Sequence, residues 1–194
     1  MPDPLSFHVP SSFHTRRLHL SAFRVADSAA LHAALAESIH ELRRTLWFLP
    51  WVAEAPTLQT AEVRCRQAKA NFRLRTDMPY LAFDRGSDRL VASVGLHRTN
   101  WSIPETELGY WVRTGETGKG YASEGVAALT AWALEGLGAQ RVELVTDEKN
   151  IASRAVAQRC GFSLEGIRRN VVKSPTGAFG NSCVYTKRPA GRAE

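Results

Sequence analysis

The chain has 194 residues, of which 44% are hydrophobic and 23% charged, a composition typical of one globular domain. Its formal net charge is +6, but the positive residues are scattered, which does not favour a nucleic-acid partner. No apolar run reaches the roughly 20 residues that span a bilayer and residues 1–10 do not resemble a secretory leader, so we expect a cytoplasmic protein without a membrane segment.

The first half of the chain predicts a strand, two helices and a hairpin. Apolar and polar residues alternate over 17–23, as in a strand, and Asp27 then offers an N-cap to a helix whose apolar residues recur every three or four positions. A second helix with the same spacing follows Thr57. Strands over 80–83 and 90–96, joined by turn-forming residues, predict an antiparallel hairpin.

The second half alternates strands with helices. We predict a strand over 107–113, a glycine-bearing turn over 115–120, a helix over 121–137 closed by Gly138, a strand over 141–146, a helix over 151–160, and strands over 162–172 and 182–187. This order indicates one α/β (α+β) domain over 1–194, in which helices flank a mixed, mostly antiparallel sheet. The ends, about 1–12 and 189–194, are predicted to be frayed.

Three cysteines, Cys65, Cys160 and Cys183, are widely spaced and form no C-x-x-C pair. None has a neighbouring group of histidines. We therefore predict reduced, mostly buried thiols and no metal site.

The glycine-bearing loop before residue 121 is the most informative stretch of the sequence. A strand enters this loop, and the loop opens directly into a helix, whose first amides lack partners within the helix and lie at the positive end of its dipole. Glycine lets oxygen atoms approach the main chain closely. We therefore expect the backbone at Gly118, Lys119, Gly120, Tyr121 and Ala122 to cradle a phosphate.

Two nucleotide-binding loops fit this stretch poorly. The P-loop pattern G-x-x-x-x-G-K-[ST] would need glycine at Arg113 and a hydroxyl residue at Gly120. The dinucleotide pattern G-x-G-x-x-G would place Ser123 at its last glycine. A plain tight turn into a helix remains the alternative interpretation of the loop taken alone.

The string T-G-K-G-Y-A over 117–122 resembles the pyrophosphate loop of the GNAT superfamily, Q/R-x-x-G-x-G/A, at its two small positions. Further strings resemble its RimJ/RimL-type branch: T-x-R-L-x-L from Thr15, L-x-x-W near Trp47 and Trp51, E-L-G-Y-W from Glu107, and N-I-A-S-R-A-V-A-Q-R-C-G-F from Asn150. With the order of elements, the resemblance extends over nearly the whole chain. It departs at Thr117, the Q/R position, and at Asn181, where Asp is expected four residues before Tyr185.

The resemblance implies an N-acetyltransferase whose sheet is splayed where acetyl-coenzyme A binds, with the pantetheine arm between the strands of Trp111 and Val145. The implied acceptor is an amine, which belongs either to a protein N-terminus, with ribosomal proteins among the candidates, or to a small molecule. The resemblance also allows a homodimer. A non-catalytic acyl-coenzyme A sensor or regulatory domain is the alternative. The coenzyme contacts are expected from Trp111, Val112, Arg113, Gly118, Lys119, Gly120, Tyr121, Ala122, Ser123 and Asn150.

Direct acetyl transfer needs a neutral amine, donors for the developing oxyanion and a group that helps the thiolate leave. By resemblance, Asn150 fixes the pantetheine arm and Ser153 donates a hydrogen bond to the departing sulfur, with helix capping as the alternative for both. Glu107 is the candidate base because it lies on the strand that leads to the loop. An ordinary surface carboxylate is the alternative there.

The acceptor side is expected to include Trp47, Trp51, His97 and Tyr110. Trp47 and Trp51 form an aromatic cluster with Phe48, which predicts either core packing or a wall of the acceptor site. His97 is expected to position the substrate or to pack on the strand surface. Cys160 has no evident histidine partner, so a covalent acyl-enzyme is not favoured.

Overall fold

The fold centres on an eight-stranded sheet, seen in a computed structural model that describes residues 3–47, 49–173, 177 and 179–191. The strands are β1 (Ser12–His14), β2 (Leu18–Ala22), β3 (Asp77–Asp84), β4 (Leu90–Asn100), β5 (Glu105–Val112), β6 (Arg141–Asp147), β7 (Ser163–Lys173) and β8 (Phe179–Lys187). The helices are α1 (Ser28–Thr45), α2 (Pro50–Ala53), α3 (Leu58–Leu74), α4 (Tyr121–Glu135) and α5 (Ile151–Arg159).

The strands lie in the order β1-β2-β3-β4-β5-β6-β8-β7. Every neighbouring pair is antiparallel except β5 and β6, which are parallel. The connection between these two strands contains α4, as a parallel pair requires a crossover. The predicted mixed, mostly antiparallel sheet is therefore confirmed.

Helices cover both faces of the sheet because successive side chains of a strand point to opposite faces. On one face, α4 contributes Val126, Leu129 and Ala133 to a core that includes Leu18 and Leu20 of β2. On the other face, α1 and α3 pack against a second core, in which Leu81, Phe83 and Trp111 represent the sheet. The candidate site lies between β5 and β6, the two strands of the parallel pair.

Two short elements were not predicted. Strand β1 has only three residues, S-F-H, too few to establish an alternating pattern, and it is held by pairing with β2. Helix α2 has four residues and begins at Pro50, whose fixed φ suits the first position of a helix.

Asp27 occupies the N-cap position of α1, as predicted, but its side chain does not provide a capping hydrogen bond. Its backbone is helical, with φ −85° and ψ 0°, and its carboxylate instead accepts hydrogen bonds from the guanidinium of Arg24 at 2.8 and 3.0 Å. A short 3-10 helix, Val25–Asp27, precedes α1. Helix α4 also ends two residues earlier than expected, at Glu135, while Gly138 adopts the left-handed φ of 72°.

The cysteines Cys65, Cys160 and Cys183 are all free and buried, as predicted. The extent of the frayed ends stays a prediction, although Val9 is buried and the Tyr80 hydroxyl donates to the Pro10 carbonyl at 2.7 Å. Among the described helices, none is long and apolar enough to cross a membrane.

Candidate active site

The sheet opens between β5 and β6. Within the described residues, these strands pair only at Glu105 with Arg141, Thr106 with Val142 and Glu107 with Glu143. Beyond these pairs β5 continues to Val112 and β6 to Asp147, each hydrogen-bonded only to its outer neighbour. The predicted splay is thus present, and Trp111 and Val145 lie on its two sides.

The loop before α4 leaves backbone amides exposed at one side of this opening. Gly118 and Gly120 have φ of 77° and 83°, values that glycine adopts without strain. A Cβ at Gly118 would meet no heavy atom within 4 Å. Gly120 is the N-cap of α4 and provides no side-chain cap, so the amides of the first turn, at Tyr121, Ala122 and Ser123, can bind an anion.

Side chains of the loop itself are engaged locally. The Lys119 ammonium donates to the carboxylate of Glu116 at 2.8 Å, and the Thr117 hydroxyl donates to the Thr114 carbonyl at 2.9 Å. Thr117 therefore closes a turn where the family pattern has a long polar side chain. The loop would therefore bind a diphosphate mainly through its backbone amides.

Glu124, which the sequence analysis missed, joins this loop to the residues just before β2. Its carboxylate accepts hydrogen bonds from the Thr15 hydroxyl at 2.5 Å, from the Arg17 backbone amide at 2.7 Å and from the Arg17 guanidinium at 2.7 Å. The same guanidinium donates to the Lys119 carbonyl at 2.9 Å. Burial alone would raise the pKa of Glu124, but these donors outweigh it and lower the pKa below its ordinary value.

Replacing Glu124 by Gln is expected to reduce the free energy of unfolding at neutral pH by about 1–3 kcal/mol, because hydrogen bonds to a charged acceptor are lost. A carboxyl group whose pKa is lowered by folding stabilises the protein above its unfolded-state pKa and loses that effect as pH falls through the folded-state pKa. Urea unfolding at about pH 7 and about pH 3 should therefore show a wide gap between the two proteins that closes in acid. A gap that is equal at both pH values would contradict this role.

A second anchor joins the other end of the loop to α1. The guanidinium of Arg113 donates to the Glu37 carboxylate at 2.7 Å, the Gly115 amide donates to the same carboxylate at 2.9 Å, and the Ser38 hydroxyl accepts from the Thr114 amide at 2.9 Å. Hydrogen bonding from Arg113 is the main cause of the lowered pKa of Glu37. The side chain of Arg113 is thus engaged with α1, and its proposed coenzyme contact rests on its main chain.

A pair of hydroxyl groups spans the opening. The Tyr110 hydroxyl on β5 donates to Ser153 Oγ on α5 at 3.0 Å. Burial raises the pKa of Tyr110 to about 12, although the contact with Ser153 opposes this rise. Asn150 is the N-cap of α5 and accepts from the Ser153 backbone amide at 3.0 Å, so capping belongs to Asn150 and leaves the Ser153 hydroxyl with Tyr110.

Glu107 and His97 are direct cross-strand neighbours on β5 and β4. The Glu107 carboxylate is ion-paired with the guanidinium of Arg98, whose Nε donates to it at 2.9 Å. His97 Nδ1 lies 2.9 Å from the Asp77 carboxylate. Its ring lies over the backbone of Gly95 and Gly109, because a Cβ added at either glycine would be 3.0 or 3.3 Å from His97 Nε2, respectively.

The aromatic residues of the predicted acceptor wall lie around α2. Trp51 packs against the core that contains Trp111, and the guanidinium carbon of Arg64 lies 3.7 Å from the centre of its ring. Burial lowers the pKa of Arg64 to about 10. Trp47 is half-buried between α1 and α2, whereas Phe48 lies outside the described residues.

Trp111 and Val112 lie at the end of β5 that pairs with β4 but not with β6. Trp111 is buried beneath α1 and α3, and Val112 packs partly against the core under α4. Their main chain borders the opening, which fits an extended pantetheine arm. Among the described residues, no three His, Cys, Asp or Glu side chains are arranged to hold a metal ion.

The departure at Asn181 has a local explanation. Its side-chain amide donates to the Glu148 carboxylate at 2.8 Å, and its amide oxygen accepts from the Asn170 backbone at 3.0 Å. An aspartate at this position would face the Glu148 carboxylate with a like charge and would lose the donor. Asparagine therefore suits this sequence.

Comparison with known proteins identifies relatives of the chain. Residues 17–163 match the family described as "Acetyltransferase (GNAT) domain". A probable N-acetyltransferase of Bacillus subtilis (strain 168), YjcK, is 32% identical over 92 residues, which cover 47% of this chain and 51% of that protein. The matched region thus spans about half the length of the curated relatives.

Solved structures share the fold at low sequence identity. RimL, a ribosomal L7/L12 alpha-N-protein acetyltransferase in complex with coenzyme A, has a TM-score of 0.80 at 21% identity and covers 93% of this chain and 97% of its own. The ribosomal-protein-S5-alanine acetyltransferase from Vibrio fischeri has a TM-score of 0.80 at 16% identity, with 95% and 100% covered. The splayed sheet, the exposed amides of α4 and the family match agree: this chain belongs to the GNAT acetyltransferase domain family.

Proposed function

We propose that this protein is an N-acetyltransferase, which moves the acetyl group of acetyl-coenzyme A directly to an amine in a ternary complex. One observation supports this most strongly: the opening between β5 and β6 has the uncapped amides of α4 on one side and the Tyr110–Ser153 hydroxyl pair on the other. An anion held at the amides would therefore direct the rest of a long thioester towards proton donors.

The residues at the opening fit the parts of the coenzyme. The amides of the first turn of α4 suit the pyrophosphate, because they lie at the positive end of the helix dipole. The main chain of Trp111 and Val112 borders the place for the pantetheine arm, and Asn150 lies across from it at the start of α5. When bound, the coenzyme supplies the acetyl thioester.

Ser153 is the proposed donor to the departing sulfur. The Tyr110 hydroxyl, whose pKa burial raises to about 12, donates to Ser153 Oγ. The Ser153 hydrogen is then free to point at a thiolate. A sensor domain that only binds the coenzyme has no need of this hydroxyl pair, so the pair favours catalysis over that alternative.

His97 and Glu107 are the two candidate bases, and their surroundings differ. If Nδ1 of His97 donates to Asp77, the lone pair of Nε2 is available to accept a proton from the acceptor amine. The Glu107 carboxylate is already paired with Arg98. We therefore propose His97 as the base. Glu107 lies beside His97 and is paired with Arg98.

Substituting each of these two residues by glutamine distinguishes their roles. His97→Gln is expected to lower kcat/KM about 10- to 100-fold near pH 7, since the proposed proton acceptor is gone. Glu107→Gln is expected to stay within about threefold of the unmodified protein. Steady-state rates near pH 7 measure both variants, and the reverse result would make Glu107 the base.

The acceptor is proposed to be the N-terminal amine of a protein. Support comes from the structural neighbours whose names state that they act on ribosomal L7/L12 and on ribosomal protein S5, so ribosomal proteins are the first acceptors to test. Small-molecule amines form the second group. Free, buried thiols agree with a reducing cytoplasm, where such acceptors occur.

A homodimer is part of the proposal. Large apolar side chains of the edge strand β7, Leu164, Ile167 and Val171, are 45%, 38% and 56% exposed, and a second copy would cover them. Sedimentation equilibrium tests this point separately from activity.

The activity itself is tested by thiol release from acetyl-coenzyme A. Purified protein would be offered N-terminal peptides of ribosomal proteins and a panel of small amines, with the same peptides blocked by N-terminal acetylation as controls. Free thiol that appears with an open N-terminus and not with its blocked form supports the proposal. Coenzyme binding without thiol release from any acceptor would favour the sensor domain.

A further inference from the structure

A groove remote from the opening between β5 and β6 has a strongly basic lining. It lies on the β1–β2 edge of the sheet, beside the C-terminal half of α3, and has a volume of about 560 Å3. We call it the basic groove, and its polar lining includes Ser12, Ser21, Arg24, Lys69, Arg73 and Arg75. None of the candidate active-site residues lines it.

The positive charge of the basic groove is only partly neutralised. Of its four cationic side chains, Arg24 is paired with Asp27 at 2.8 Å. Neither Lys69 nor Arg73 forms an ion pair with any described residue, and no Asp or Glu is among the described residues that line the groove. The groove therefore attracts anions.

Lys69 and Arg73 are also four residues apart on α3 and both face the groove. Like charges at this spacing destabilise a helix. An anion placed between them would remove that repulsion. The helix thus presents two cations in an arrangement that favours a bridging ligand.

Arg75 supplies an independent observation. It follows α3 with a left-handed φ of 59°, which non-glycine residues rarely adopt. Its Nη1 donates to the Phe72 carbonyl at 2.6 Å, but its buried Nε has no hydrogen-bond partner among the described residues. A buried donor without an acceptor costs free energy, and a ligand oxygen in the groove would reach this Nε only after the Arg75 side chain moves.

The mixture of donors favours phosphate. Guanidinium and ammonium groups bind phosphate oxygens through charge-assisted hydrogen bonds, and the hydroxyl of Ser12 adds a neutral donor. Phe23 and Phe72 give the groove an apolar wall, and its volume is within the range of small-molecule sites. We propose that the basic groove binds a phosphate-bearing small molecule, independently of acetyl transfer.

Calorimetric titration with inorganic pyrophosphate tests this proposal. The full chain is titrated both without coenzyme A and after saturation with it, at constant ionic strength near physiological salt. The titration without coenzyme A is needed because coenzyme A is itself phosphate-bearing and would compete at the basic groove as well as at the amides of α4. The proposal predicts saturable binding with a Kd below about 1 mM. Absence of saturable heat up to about 20 mM pyrophosphate would overturn it.

Two double variants with the same loss of charge locate the binding. Lys69→Gln with Arg73→Gln is expected to weaken pyrophosphate binding at least about tenfold, whereas Arg16→Gln with Arg66→Gln, both exposed and outside the groove, should stay within about twofold. Equal weakening in both proteins would show a diffuse charge effect and overturn the site. Tighter binding of a hexaglutamate peptide than of pyrophosphate would assign the groove to acidic peptides instead.

Neither outcome depends on the acetyltransferase proposal. If coenzyme A fails to bind in the saturation step, the proposed activity fails, but the two double variants still report whether pyrophosphate occupies the basic groove. Thermal unfolding of each variant without ligand confirms that both are folded before they are compared.

Discussion

Replacing Ser153 by Ala is expected to lower kcat about 10- to 100-fold, with little change in coenzyme affinity. The physical reason is that the Ser153 hydroxyl, fixed by Tyr110 at 3.0 Å, would no longer donate to the departing sulfur. Proton donors of this kind contribute about 10²–10⁴ to rates, and water in the opening can replace part of that effect. Pre-steady-state and steady-state thiol release would measure the change.

Two companion variants show whether the loss is chemical. Tyr110→Phe removes the donor to Ser153 and should lower kcat in the same direction, though less. Asn150→Ala removes the cap that accepts from the Ser153 backbone amide and should cost about 1 kcal/mol of stability. Ser153→Ala retains that cap, so a rate within twofold of the unmodified protein would limit Ser153 to a structural role.

Replacing Gly120 by Val is expected to weaken coenzyme A binding at least about tenfold, which corresponds to about 1.4 kcal/mol. Gly120 begins α4 with a φ of 83°, and a branched side chain there would strain the backbone and crowd the exposed amides. The Arg17 guanidinium, 3.4 Å from the position of a Cβ, limits the room further. Calorimetric titration with coenzyme A would measure the loss.

Gly138 provides a matched control for this substitution. It has a similar φ of 72° and no heavy atom within 4 Å of a Cβ, but it follows the other end of α4. Gly138→Val should therefore cause comparable backbone strain, and a comparable loss of stability, without weakening coenzyme binding. Equal loss of affinity in both variants would attribute the effect to destabilisation of α4 and not to its first amides.

Much of the fold could be predicted because its pattern is local. Alternation and helical spacing predict most strands and helices, and the glycines at 118 and 120 predict a loop with left-handed backbone, as found. Element ends were less accurate. Asp27 illustrates the reason, since its side chain pairs with Arg24 and the residues before α1 form a 3-10 turn.

The supports of the site could not be predicted, because they join residues that are far apart in sequence. Glu124 meets the Arg17 amide across 107 positions, and the string T-x-R-L-x-L indicated a family without revealing that Thr15 and Arg17 bind one carboxylate. Glu37 reaches Arg113 in the same way across 76 positions. A carboxylate in the first turn of a helix after a glycine loop was the one available signal for Glu124.

The pairing of Tyr110 with Ser153 also depends on the tertiary structure. From the sequence, Tyr110 is expected on the acceptor side and Ser153 at the leaving group, with helix capping as the alternative for Ser153. The opening of the sheet brings β5 against the start of α5, so that the two hydroxyls meet. Sequence spacing contains no information on this contact, because the residues belong to elements separated by α4 and β6.

Calorimetric titration of the unmodified protein with acetyl-coenzyme A is the decisive experiment, since the proposed acetyl transfer requires the amides of α4 to bind its pyrophosphate. We expect one site per chain with a Kd of about 1–100 μM and competition by coenzyme A. Absence of saturable heat at millimolar acetyl-coenzyme A, from protein that unfolds cooperatively, would contradict the account.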